Sequence, residues 1–211
     1  MSIIVLEWSL YNGEVFDMAR PKSFNKEHVL GLAIMVFWKK GFDATSMKDL
    51  EEATRLTPGS IYHEFGSKLG MFEDALSQYI DTVVAFRVTH YFSKTDNPMQ
   101  TVRDFIVSSF KEVPKEVRGD ACLLVNTATE FGKSKPGVST VIKRGFRTIE
   151  QGLYKQLQVA QVNGDIREDL DCKAAAGQLT HLMSGLLVAS KNQSNIDSLE
   201  STVDFTLQAY Q

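Results

Sequence analysis

Twelve residues constrain this chain more than any other feature. The stretch TPGSIYHEFGSK, Thr57 to Lys68, starts a helix, stops it and starts another. Thr57 suits an N-cap, and Pro58 suits the first helical position, where its missing N–H costs nothing. Ile61 and Phe65 are four residues apart and share the inward face. Gly66 stops the helix and Ser67 caps the next one. So short a helix buries little and leaves Thr57, Ser60, Tyr62 and His63 outside, while Gly59 lets a partner approach the backbone.

The residues on either side carry the same punctuation. A first helix is expected over about Lys26 to Lys40, capped by Asn25 and closed by Gly41. Val29, Ala33, Val36 and Phe37 form its apolar face, widened by Leu30, Ile34 and Trp38. A second helix is expected over about Ser46 to Thr54, with Ser46 and Asp49 as a capping-box pair in which Asp replaces the usual Glu or Gln. A long fourth helix follows, about Lys68 to His90, with Phe72, Leu76, Tyr79, Ile80, Val83 and Val84 on its buried side. Two short helices joined by a tight turn, the second with a polar outer face, make a helix-turn-helix whose second helix enters a DNA major groove. The same pattern also suits a small helical hairpin inside an α-bundle, with Tyr62 partly buried.

Composition narrows the class. The chain has 211 residues, 43% apolar and 23% charged, with five prolines and no clear strand-like alternation. That favours an all-α globular protein. Cys122 and Cys172 lie far apart, which argues for a reducing compartment and against a disulfide frame. The four histidines show no metal spacing. No apolar run reaches membrane-span length, and no basic region precedes the short IIVL run near the start. Residues 18–68 carry eight Lys/Arg against six Asp/Glu, a net of +2, on an otherwise acidic chain of net −3. A slightly basic segment on an acidic body suits a local nucleic-acid contact. No nucleophile elbow, phosphate loop or HExxH motif appears, so no catalytic residue, cofactor or metal ligand is assigned.

Residues 91–211 read as further helices: about Pro98 to Val113, Ala121 to Phe131, Pro136 to Val162, Cys172 to Lys191 and Ile196 to Tyr210. The Cys172–Lys191 segment is apolar over more than one face, which calls for a second partner surface or for ordinary core.

ATSMKDL, then TPGSIYHEFGSK, then MFEDAL resembles the DNA-binding head of the TetR family of transcriptional regulators. MARPKSF just before them resembles the basic arm that many members carry. The likeness runs from Arg20 to about Ile80. GDACLLVNTATEFG, Gly119 to Gly132, resembles a segment of one branch with a ligand-binding body. The resemblance implies a helix-turn-helix domain over 18–68, a ligand-binding and dimerisation domain over 69–211, and last two helices that form half of a four-helix homodimer bundle. It implies a cytoplasmic, nucleoid-associated repressor that binds double-stranded DNA at a palindromic operator. Two residues depart from the family pattern. Arg55 stands in the turn where glycine is common, and Glu51 stands where a small residue usually packs.

The expected DNA contacts are Arg20 and Lys22 in the arm, Thr45 and Ser46 at the start of the second helix, and Thr57, Pro58, Gly59, Ser60, Tyr62 and His63 on the third. Lys68 joins them because a lysine in a first turn opposes the helix dipole and so reads as serving something other than stability. A small, largely apolar effector is expected among Phe86, Phe105, Phe110, Cys122, Asn126 and Phe146. Cys122 either lines that pocket or reacts with an electrophile or oxidant, which leaves a cysteine-redox or protein-partner-controlled regulator as the alternative, and a helical module without DNA binding as a third. Residues 1–17 are expected to be translated leader ahead of a natural start at Met18, since Gly13-Glu14-Val15 can be encoded with a bacterial ribosome-binding core. The alternative is a genuine extension packed through IIVLEW.

Overall fold

The computed structural model describes residues 24–93, 96–111, 122–192 and 195–211, and among them every regular element is helical. Arg20, Lys22 and the expected leader 1–17 lie outside the described residues.

The first helix, α1 (Lys26–Ala44), is capped by Asn25, whose side chain accepts the His28 N–H. Its apolar face is buried as the periodicity predicts, except that Val36 is only half-buried. Gly41 breaks it with φ 75° and ψ 174°, so the last residues form a separate turn. Helix α2 (Met47–Thr54) carries both arms of the capping box. Arg55 closes it in the left-handed region, φ 60°, the sole non-glycine residue with positive φ among those described. That conformation costs about 1 kcal/mol without glycine. Helix α3 (Pro58–Phe65) starts at Thr57 and stops at Gly66, with Ile61 and Phe65 buried.

Helix α4 begins as Lys68–Tyr79, passes through a π-helical turn at Ile80–Val84 and continues as Ala85–Phe92. It links the first three helices to the body without a loop. Arg144 fixes it at the π turn, bonding Asp81, the Ser77 hydroxyl at 2.8 Å and the Ser77 carbonyl at 3.2 Å.

The body adds α5 (Pro98–Lys111), α6 (Leu123–Phe131), α7 (Pro136–Asn163), α8 (Cys172–Lys191) and α9 (Ile196–Gln208). Cys122 is the N-cap residue of α6 rather than part of the helix. The 28-residue α7 packs on α4, α5, α6 and α8. It can approach α4 closely because Gly145 and Gly152 face it: a Cβ on Gly152 would lie 2.6 Å from Val88, and one on Gly145 2.9 Å from Ile80. An ion cluster joins α5 to α9. Arg103 bonds Asp204 at 2.5 and 3.0 Å and Glu200 at 3.3 Å, and Lys111 reaches Glu200 at 2.5 Å.

One apolar core runs from α1 into the body without a break. Phe37 meets Phe72 edge-on at 4.8 Å, Trp38 meets Tyr79 at 5.1 Å, and Phe131 stacks on Phe72 at 5.3 Å.

Candidate nucleic-acid interface

The outer face of α3 carries its side chains on a helix fixed from within by Ile61 and Phe65, both buried. Tyr62 is 51% exposed, and Thr57, Pro58, Gly59 and His63 are exposed beside it. Thr57 Oγ1 accepts the Ser60 N–H at 3.2 Å and lies 2.9 Å from the Ser60 hydroxyl. A Cβ on Gly59 would meet only Thr57 Oγ1, at 4.0 Å, so packing within the chain does not demand glycine there. The aromatic hydroxyl, the imidazole and the bare backbone of α3 therefore face outward together. Hydroxyl and ring N–H groups of this kind bond phosphates or base edges.

Three other expected contacts are spent inside the chain. Thr45 is 1% exposed, its hydroxyl donates to Gly41 O at 2.6 Å and its N–H to Phe42 O at 3.2 Å. It closes the end of α1 and has no donor left for a phosphate. Ser46 is exposed, but its N–H and hydroxyl both donate to Asp49 Oδ2, at 2.9 and 2.8 Å. Lys40, bonded to Asp49 at 2.6 Å, holds that carboxyl well below the usual carboxylate range, and the Ser46 donors add to the effect. The N-terminus of α2 thus carries its own anion.

Lys68 has a structural partner, contrary to the sequence-based expectation. Its Nζ donates to Phe42 O and Thr45 O, each at 2.8 Å, and lies 4.2 Å from the centre of the Phe42 ring. The charge that opposes the dipole of α4 instead neutralises the carbonyl end of α1, the place where a cation stabilises a helix. Periodicity could not reveal this, because the acceptors lie 26 and 23 residues away.

The body residues expected around an effector scatter. Phe86 is 39% exposed and stacks on His90, so it faces outward. Phe105 is buried against Tyr91 and Phe92, and Phe110 is buried nearby on α5. Phe146 is half-buried on α7, and Asn126 accepts a bond from Lys191 at 2.9 Å. Cys122 Sγ lies 3.2 Å from the Tyr79 hydroxyl. Burial pushes the Tyr79 phenol well above its ordinary value, and the Cys122 contact adds to the shift. Two residues not expected from the sequence complete this interior polar group. Arg87 donates to Phe105 O at 3.0 Å and to the Ser108 hydroxyl at 2.8 Å, with its guanidinium 5.1 Å from the Phe105 ring centre. Its position on the linking helix, among residues read as apolar, was the available signal.

The outward faces of α8 and α9 mix polar residues with small and apolar ones. Ala174, Gly185 and Val188 are exposed on α8, and Phe205 on α9 is 77% exposed. A Cβ on Gly177 or Gly185 would meet nothing within 4 Å.

Residues 29–75 match the family model described as bacterial regulatory proteins, tetR family, and residues 98–205 match that of the tetracyclin repressor-like C-terminal domain. The HTH-type transcriptional repressor ComR of Escherichia coli (strain K12) is 25% identical over 191 residues, covering 90% of this chain and 91% of ComR. YezE of Bacillus subtilis (strain 168), an uncharacterized HTH-type transcriptional regulator, is 27% identical over 191 residues, covering 90% and 98%. A cysteine mutant of the TetR family transcriptional regulator CifR, solved in complex with 26-bp double-strand operator DNA, superposes with a TM-score of 0.77 at 25% identity, covering 91% of this chain and 100% of that one.

Proposed function

Because this chain belongs to the TetR family of bacterial DNA-binding transcriptional regulators, we propose that it is a repressor that reads a palindromic operator as a homodimer and releases it when a small, largely apolar effector enters the body. The observation that carries the reading is the outer face of α3, where Thr57, Pro58, Gly59, Ser60, Tyr62 and His63 sit on a rigid short helix, with Tyr62 exposed and no packing demand for glycine at Gly59. CifR, which this chain matches over the whole CifR length, was solved on operator DNA, and that likeness supports DNA binding. Lys68 acts behind it by holding the end of α1. Arg20 and Lys22 are proposed as minor-groove contacts.

The homodimer reading rests on the outward faces of α8 and α9. Exposed Phe205 and Val188 beside alanine and glycine allow two copies to approach closely, and an isologous pair of such faces buries both. Release rests on α4. It runs from the head into the body without a loop, and its π turn sits beside Tyr79 and Cys122. π-Helical turns of this kind occur often at functional sites. An effector lodged beside Cys122 and Tyr79 would move this helix and change the separation of the two recognition helices. Among the described residues no helix is long and apolar enough to cross a membrane, which agrees with a cytoplasmic regulator on the nucleoid.

A second reading has Cys122 itself as the sensor, through covalent modification. The half-buried position of Cys122 favours it, whereas Cys172 is buried and bonded to Gln161.

Selection of duplexes from a random-sequence pool by the full chain tests the proposal. Enrichment of an inverted repeat with half-sites about one helical turn or a multiple of it apart is expected. Enrichment of no sequence, or of a site lacking two-fold symmetry, would contradict it.

A further inference from the structure

The Gly41 break in α1 does more than end a helix. With φ 75° and ψ 174° it turns the chain so that the next two backbone N–H groups, Phe42 and Asp43, point the same way. Restarting a helical turn leaves such groups without acceptors of their own. The body supplies them. Glu130, in the last turn of α6, accepts Phe42 N–H on Oε2 at 3.1 Å and Asp43 N–H on Oε1 at 2.9 Å. Glycine suits the turn: L side chains rarely adopt φ 75° with ψ 174°, and a Cβ there would sit 3.3 Å from the Glu130 carboxylate. One residue further along, the Phe131 ring packs at 5.1 Å from Phe42. Lys68 grips the same residue from the other side through Phe42 O. Phe42 is therefore held at its N–H by the body and at its carbonyl by α4.

The other end of α6 is equally specific. Cys122, its N-cap residue, touches Tyr79 beside the π turn, and Asn126 in its middle is bonded to Lys191 of α8. Helix α6 is nine residues long, about 13 Å of rigid rod. Its start touches the interior of the body, and its end holds the turn that carries α1 into α2.

We propose that Glu130 is a positioning residue for DNA recognition: its carboxylate transmits the placement of α6 to the Gly41 turn, so the body orients the reading head through α6 as well as through α4. The proposal rests on the regulator reading above. A displacement at the Cys122 end shifts Glu130 along α6, and the two amides follow because one carboxylate holds both of them. The carboxylate touches no DNA. It acts only through the backbone of α1.

Two measurements on the full chain test this. In Glu130→Gln, one acceptor oxygen replaces two, and the amides of Phe42 and Asp43 should exchange hydrogen at least tenfold faster in the DNA-free protein, with Leu50 and Ile61 amides unchanged. The second measurement is affinity for the duplex that the unsubstituted protein selects from a random pool. Cys122→Trp, or Cys122→Met should the larger side chain prevent folding, is expected to change that affinity fivefold or more when Glu130 is present and less than twofold in the Glu130→Gln background. Unchanged exchange at Phe42 and Asp43 would overturn the proposal. So would an equal effect of the Cys122 substitution in both backgrounds, or no effect in either, since a merely structural Glu130 predicts those results. Failure of the unsubstituted protein to bind any duplex would sink the regulator reading instead, and amide exchange would still decide whether the tie exists.

Discussion

Replacing Lys68 by methionine separates two roles that one lysine could have. Methionine keeps the aliphatic stem against Phe42 and removes the ammonium group. In the structure that group makes two hydrogen bonds, to Phe42 O and Thr45 O. A hydrogen bond from a charged donor is worth about 1.5–3 kcal/mol when buried. Lys68 is only half-buried, so water can reach the carbonyls once the ammonium is gone. The two bonds together then account for about 2 kcal/mol, with the lost contact to the Phe42 ring included. In a chain of this size that lowers the thermal midpoint by about 4–8 °C.

A lysine that touches phosphate behaves differently. Its removal leaves the midpoint nearly unchanged and reduces the slope of log affinity against log salt by about 0.9. The assay is thermal unfolding followed by circular dichroism, paired with fluorescence-anisotropy binding of the selected duplex at several salt concentrations. The structure predicts a lower midpoint, weaker binding through a loosened turn between α1 and α2, and an unchanged salt slope. An unchanged midpoint with a slope lower by about one unit would refute the reasoning and return Lys68 to the phosphate contacts.

Acid should weaken the join between α5 and α9. Arg103 holds the Asp204 carboxyl below its ordinary value, and Lys111, with Arg103, does the same to Glu200. Depressed carboxylates contribute fully above their unfolded values of about 4 and lose that contribution as pH falls through the lower folded values. Denaturation midpoints should therefore drop steeply below about pH 4, and Arg103→Gln should flatten that drop; equal pH profiles for both proteins would contradict the assignment. Phe205→Glu should convert a dimer to a monomer in sedimentation velocity with helical content unchanged, and an intact dimer would place the interface elsewhere. Iodoacetamide should modify Cys122 before Cys172 in the native protein, because burial pushes the Cys172 thiol up, with Asp171 adding to the shift; mass spectrometry of timed samples showing the reverse order would count against the burial pattern.

What could be read from the sequence was what neighbouring residues decide. Thr57, Pro58 and Gly66 bound α3 because caps act within three residues, and the Ser46–Asp49 box formed for the same reason. The outward position of Tyr62 followed from the four-residue spacing of Ile61 and Phe65. The structural partner of Lys68 was missed because dipole arguments treat a helix alone, whereas its ammonium serves the end of another helix. Glu130 went unnoticed because its two donors lie 88 and 87 residues away. Gly145 and Gly152, seven residues apart on one face of α7, did carry a legible sign of close helix approach. Phe86 was placed inside because aromatic side chains usually are, and nothing local marks which side of α4 the body covers. The π turn shifts that side, and periodicity assumes an unbroken helix.

The central claim is that the outer face of α3 reads DNA. The most direct measurement is the affinity of the unsubstituted protein and of Tyr62→Ala for the selected duplex, each titrated across salt. The Tyr62 side chain is 51% exposed, so the variant should unfold at nearly the same midpoint and keep the same oligomeric mass. Its affinity for the selected duplex should fall tenfold or more, with binding to a scrambled duplex changed far less. Equal affinity of the two proteins for the selected duplex at every salt concentration would contradict the account.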